Sequence, residues 1–197
     1  MSARDSRKKS HIIDTVLSMI SEGGDHKFTT REIAARAKVN IAAINYYFGS
    51  KDDLIKLAEE DYFSRIAEVH MASIKTGKNV EAILLNYCMR YSEFVLANPG
   101  LQRNMMSRLI SDRQPRPEIS LALQNNVMRI KKVIKERLSH LDDKALNHIS
   151  VIFLSAVFYP ILLTQYESEL NIDLEYKDRE KLRAYYRTLI NCILHCA

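Results

Sequence analysis

Between Phe28 and Lys51 the chain reads FTTREIAARAKVNIAAINYYFGSK, and the punctuation of this run leaves room for two short helices, a tight turn and the start of a third helix. Thr29 and Glu32 have the spacing of a capping box, in which each side chain satisfies the other residue's backbone N–H, so a helix starts near Thr30. Ile33, Ala34 and Ala37 give that helix one apolar face. Lys38, Val39 and Asn40 make a short turn. Asn40 is a good N-cap for the next helix, because its side-chain oxygen accepts from an otherwise unpaired first-turn N–H. That helix, Ile41 to Tyr47, is expected to bury Ile44 and Phe48 and to turn Ile41, Ala42, Asn45, Tyr46 and Tyr47 outward. Small residues, one amide and two phenols on a short exposed helix suit insertion into the major groove of DNA. Ser50 caps the helix that follows, with Asp53 at the reciprocal position.

These residues resemble the DNA-binding domain of TetR-family transcriptional regulators. The resemblance rests on the Ile33-Ala34 pair, Val39 in the turn, the aromatic run Tyr46-Tyr47-Phe48 and the ending Phe48-Gly49-Ser50-Lys51. It covers about the first third of the chain, roughly Ser6 to Ile66. Two positions depart from the family pattern. Lys38 stands where members often carry Gly, which asks a lysine to adopt a left-handed backbone or the turn to differ. Asn45 stands where many carry Tyr, which changes the base edge that is read and leaves the docking mode alone.

Composition agrees with a helical, DNA-directed protein. Of 197 residues 47% are apolar, enough for a real core, and only five Gly and four Pro are present, too few for a many-turned β protein. The formal charge is +5, and residues 1–51 hold nine basic and five acidic side chains, so +4 of it sits on the helix-turn-helix. Phosphate attraction requires that colocalisation. Cys88, Cys192 and Cys196 are too few and too odd in number for a disulfide framework, and the amino terminus has no apolar signal segment, so a cytoplasmic location is expected. The longest apolar stretch, Ile149 to Thr164, is shorter than the roughly 18–20 residues that span a bilayer and reads as a buried helix, with no membrane partner.

Helix signals predict about nine helices and no strand. The first runs from about Ser6 to Glu22, with Ile13, Val16, Leu17 and Ile20 as its core stripe and Gly23-Gly24 as its stop. A long fourth helix runs from Lys51 to about Ile74. Further helices are expected over about 80–97, 101–110, 118–138, 143–170 and 177–195. The fold class is therefore all-α, with a helix-turn-helix domain over residues 1–51 (family-like to about 66) and a helical domain over 52–197, which the resemblance implies is an effector-binding and dimerisation domain. The basic cluster Arg4–Lys9 either reaches a phosphate or the minor groove, or is a solvated terminus.

The resemblance implies roles for particular side chains. Thr29, Thr30, Tyr47 and Lys51 match phosphate-contact positions, and Ile41, Ala42, Asn45 and Tyr46 match base-contact positions, with Asn40 opening their helix. Asn45 can pair with adenine through two hydrogen bonds, and Ala42 can touch a thymine methyl. Packing of Tyr46 or Tyr47 within the protein is the alternative. The resemblance also implies dimerisation through the last two helices. Leu182, Tyr185, Tyr186, Leu189, Ile190 and Ile193, with Phe153, Val157 and Ile161, either build that contact or fill the chain's own core. Tyr87, Cys88, Tyr91, Met105, Met106, Met128, Phe158 and Tyr159 are candidates for an adaptable effector pocket.

Other chemistry finds little footing. Cys192, His195 and Cys196 share one helix face at metal-ligand spacing, a pattern that arises readily by chance, and His140 and His148 read as capping or surface residues. No phosphate loop, His-Glu-x-x-His or Gly-x-Ser-x-Gly is present, so neither an enzyme nor a cofactor is expected. The resemblance thus implies a ligand-responsive regulator. It would be a repressor that binds a palindromic double-stranded operator as a homodimer and is released by a small-molecule effector. A helical protein-interaction module without specific DNA binding is the alternative.

Overall fold

A computed structural model describes residues 3–23, 26–74, 77–111, 117–164 and 176–195. Among them are nine helices and no strand, so the all-α expectation holds. The chain forms two compact units: Met1–Arg65 with Asn98–Gln114, and Ile66–Ala97 with Pro115–Ala197.

The first unit contains α1 (Ala3–Gly23), α2 (Thr30–Ala37), α3 (Ile41–Phe48), the start of α4 (Lys51–Ile74) and α6 (Pro99–Ser111). Its helices start where their caps say. Thr29 Oγ1 accepts from Glu32 N at 3.2 Å while the Glu32 carboxylate accepts from Thr29 N at 2.6 Å, a reciprocal box. Asn40 Oδ1 accepts from Ala42 N at 3.0 Å and opens α3. Ser50 Oγ accepts from Asp53 N at 3.1 Å and opens α4, and its hydroxyl donates to the Asp53 carboxylate at 2.6 Å. Lys38 ends α2 in the left-handed region, at φ 53° and ψ 43°. Its N–H still reaches the Ala34 and Ala35 carbonyls and closes the helix.

The α1 stripe is Ile12, Val16, Leu17 and Ile20, all buried. Ile13, expected in that stripe, is half-buried, because the four-residue spacing of Ile20, Val16 and Ile12 leaves it at the edge of the face. Helix α6, which the sequence places in the second domain, groups with α1. Gly100 makes the approach possible: a Cβ there would meet the carbonyl oxygens of Ile20 and Ser21.

The second unit contains the end of α4 from Ile66, α5 (Val80–Leu96), α7 (Pro117–Lys135), α8 (Asp143–Leu163) and α9 (Arg179–His195). Helix α5 packs against α7, α8 and α9, and α8 packs against α7 and α9. Leu84, Tyr87, Tyr91, Ile130, Ile134, Phe153, Val157 and Tyr186 are among the buried residues this unit carries. A buried hydrogen bond of 2.6 Å joins Ser92 Oγ to Tyr186 OH and ties α5 to α9.

Helix α8 was expected to run to about residue 170. Thr164 caps it after Leu163, one turn beyond the in-helix Pro160, and residues 165–170 lie outside the described ones. At its other end Asp142 starts the helix well upstream of Ile149, through Ala145 N→Oδ1 at 2.7 Å. The resulting 21 residues are, by length and composition alone, long and apolar enough to cross a membrane, which corrects the expectation of a stretch too short to do so. Phe153, Leu154, Val157 and Ile161 on this helix are nonetheless buried within the protein.

Seven residues offered as a dimer contact (Leu182, Tyr186, Ile190, Ile193, Phe153, Val157 and Ile161) are buried in the chain's own core. Tyr185 and Leu189 are half-buried, and Tyr185 OH donates to the Ala156 carbonyl at 2.8 Å. An apolar stripe on a helix specifies burial, and here the burying partners are α5 and the α8–α9 pairing itself.

Candidate nucleic-acid interface

Helix α3 buries Ile44 and Phe48 and presents the opposite face to solvent. Ile41, Ala42, Asn45 and Tyr46 fall on that face at one helical turn's spacing, and all four are exposed, Tyr46 by 82%. The Asn45 side chain makes no hydrogen bond among the described residues. Its amide therefore keeps two donors and an acceptor for an outside partner.

The other predicted contact residues are already engaged. The Thr29 hydroxyl donates to the Glu32 carboxylate at 2.8 Å, and Thr30 is half-buried beside it. Hydrogen bonds from the Thr29 backbone and side chain hold the Glu32 carboxyl below its usual pKa. Tyr47 is half-buried, and its hydroxyl donates to Asp5 Oδ1 on α1 at 2.9 Å. That bond, with some desolvation, pushes the phenol's pKa up and keeps it a donor. Lys51 Nζ donates to the His26 carbonyl at 2.9 Å and lies 5.5 Å from the Phe28 ring centroid. Lys51 thus fastens the loop before α2 to the start of α4, with its charge still at the surface of this unit.

The cations divide in the same way. Arg36 pairs with Glu22, and Arg65 with Asp14 and Asp61. Lys9 lies 5.6 Å from the Phe48 ring centroid. Arg4, Arg7, Lys8, Arg31 and Lys38 are exposed and make no ion pair among the described residues. They contribute unpaired positive charge to the surface of this unit.

In the second unit the predicted ligand residues divide as well. Tyr87, Cys88 and Tyr91 are fully buried on α5, and Phe158 stands edge-on to Tyr91 with centroids 4.8 Å apart. Met128 and Tyr159 are exposed by 59% and 62%, so neither is enclosed within this chain. Met106 is half-buried in the first unit, and the Met105 side chain lies outside the described residues, as does Cys196. Cys192 and His195 are exposed, and no metal-ligand cluster exists among the described residues. Sequence reasoning passed over His70, Asn126 and Arg129. The signal was present, for His70 continues the buried face of Tyr62 and Ile66, and Asn126 precedes Ile130 and Ile134 on that of α7.

Residues 12–58 match the model of the bacterial regulatory proteins of the tetR family. The HTH-type transcriptional dual regulator CecR of Shigella flexneri is 50% identical over 54 residues, which is 27% of this chain and 24% of that protein. The chain thus matches about a quarter of that relative's length. The nucleoid occlusion factor SlmA of Photorhabdus laumondii is 29% identical over 137 residues, 66% of this chain and 67% of the other. A TetR-family structure from Rhodococcus, described as a putative transcriptional regulator, superposes with a TM-score of 0.73 at 14% identity, covering 95% of this chain and 99% of that one. Helices α2 and α3 with the turn between them form a helix-turn-helix segment, and the whole chain shares its all-helical fold with that structure. Over this helix-turn-helix segment, residues 12–58, the chain is thus similar to the tetR family of bacterial regulatory proteins.

Proposed function

We propose that this protein is a ligand-responsive transcriptional repressor that binds a palindromic operator as a homodimer and releases it when a small molecule enters the second unit. One observation carries the DNA half. The α3 face of Ile41, Ala42, Asn45 and Tyr46 is exposed, Asn45 has no partner among the described residues, and Arg31 and Lys38 are unpaired cations of the same unit. Asn45 would read a base edge, while Thr29, Thr30, Tyr47 and Lys51 would position the phosphates. Two α3 helices would enter successive major grooves about 34–36 Å apart.

The dimer reading draws on α8, where Val151, Ile152 and Tyr159 are exposed by 50%, 56% and 62%. On α8 and α9 these three are the exposed large apolar side chains, whereas most of the α9 stripe is buried. The effector reading draws on α4, a single helix that begins at Lys51 in the first unit and ends at Ile74 in the second, with His70 in its last part. A ligand that favours one setting of its far end over another shifts the DNA-competent population.

The test selects duplex DNA from random sequence with the purified protein, then compares Asn45→Ala on the selected site and on scrambled duplex. Asn45→Ala should lose about 1–3 kcal/mol on the selected site and little on scrambled duplex. Equal losses on both would remove Asn45 from the reading role.

A further inference from the structure

Inside the second unit, three helices bring polar groups to one buried place. His70 of α4 lies with its ring centroid 4.9 Å from Tyr87 and 5.3 Å from Tyr91, both on α5. The two tyrosine rings are near-parallel, at 7° and 6.3 Å. Asn126 and Arg129 of α7 complete the group: Asn126 lies beside the His70 ring, and the Arg129 charge acts on both His70 and Tyr87. His70, Tyr87 and Asn126 are exposed by only 2%, 1% and 7%. Yet Tyr87 OH has no hydrogen-bond partner, and neither His70 Nε2 nor Asn126 Oδ1 has one beyond the other. Buried polar groups are almost always paired, and several orphans side by side call for an explanation.

The charge state of the group says what would satisfy it. Burial, and then Arg129, push the His70 pKa down to about 4, so the imidazole is neutral and offers one N–H. Burial pushes the Tyr87 phenol and the neighbouring Cys88 thiol well up, so both stay protonated. Arg129 makes no ion pair among the described residues. Asn126 Oδ1 is an acceptor that faces the His70 ring, so the donors left for a ligand are the Arg129 cation, the Tyr87 hydroxyl and the Asn126 Nδ2, and the set contains no carboxylate. Its missing partner is an anion with several acceptor sites. Around it the surface is apolar and aromatic, with Phe153 packed 6.2 Å from Tyr87 and Phe158 against Tyr91.

We propose that His70, Tyr87, Asn126 and Arg129 form the recognition end of a site for a small organic acid, whose carboxylate meets their hydrogen-bond donors and whose apolar body lies against Tyr91, Phe153 and Phe158. This rests on the reading that the second unit binds an effector, and it names the effector's chemical class. A neutral isostere is disfavoured because it gives the half-buried Arg129 charge no counter-charge.

The experiment uses the full chain and three matched pairs: 2-naphthoic acid with 2-naphthamide, salicylic acid with salicylamide, and decanoic acid with decanamide. Thermal-shift and calorimetric titrations should find at least one acid that binds, with its amide about tenfold weaker or more. Arg129→Gln, or Arg129→Met if the first variant does not fold, should reduce that preference about tenfold. Tyr87→Phe should weaken acid binding while leaving the ligand-free protein as stable as before, or more so, because it removes an unmatched hydroxyl. The proposal is overturned if no acid binds, if acid and amide bind alike, if both variants bind the acid as the parent does, or if ligand-free Tyr87→Phe melts lower. A gel shift on the same samples separates the two readings. DNA binding without acid binding defeats only this inference, and acid binding without DNA binding defeats the regulator.

Discussion

Lys38→Gly should make the DNA-binding unit more stable. At φ 53° Lys38 holds its Cβ against the neighbouring carbonyl, a strain of about 1–2 kcal/mol for an L-residue that glycine does not bear. Glycine also frees the unfolded chain, which takes back about 0.4–1 kcal/mol. The closing N–H bonds to Ala34 and Ala35 come from the backbone and survive the change, and the exposed Lys38 side chain makes no ion pair among the described residues to lose. The net gain is about 1 kcal/mol, which at an m-value of about 2 kcal/mol per molar moves the urea midpoint up by about 0.5 M. Lys38→Ala is the control, since it removes the same charge and keeps the strained backbone, and its midpoint should not rise. Urea titrations followed by circular dichroism read both. Equal midpoints for the Gly and Ala variants would show that the left-handed lysine carries no strain, and the reasoning would fail.

Three further outcomes follow from particular contacts. His70 has a folded pKa of about 4 against 6.5 for the free ring, so below pH 6.5 the unfolded chain binds the extra proton and stability falls as pH drops towards 4. The loss is about 3 kcal/mol across that window, and a pH series of melts should be markedly flatter for His70→Gln if the ring is its source. Gly100→Ala puts a methyl against the Ile20 and Ser21 carbonyls, so α6 must shift off α1 at a cost of about 1–3 kcal/mol; an unchanged melt of the variant would deny the close approach. Ile152→Asp places a charge on the exposed apolar face of α8 and should turn a dimer into a monomer by sedimentation, whereas an undiminished dimer would locate the contact elsewhere.

The parts legible in the sequence were those decided within a few residues. The Thr29–Glu32 box, the Asn40 and Asp142 caps and the exposed α3 face all depend on spacings along one turn of helix. The left-handed Lys38 was legible as a demand, because the turn offers no glycine where one is wanted. Other features depend on contacts far apart in the chain. That α6 groups with α1 follows from Gly100 meeting Ile20 and Ser21, which no local pattern announces. The apolar stripe of α9 looks the same whether a partner copy or α5 covers it, and here Tyr186 bonds to Ser92 of α5. His70 and Asn126 are polar residues on buried faces, and only the folded unit shows that they meet.

The central claim is that the α3 face enters duplex DNA. Fluorescence anisotropy with a selected duplex, at about 50 mM and about 200 mM salt, tests it most directly. The account predicts tight binding that weakens steeply between the two, with Asn45→Ala losing its advantage on the selected site over scrambled duplex. Binding that ignores salt, or no binding even in the more dilute buffer, would contradict it.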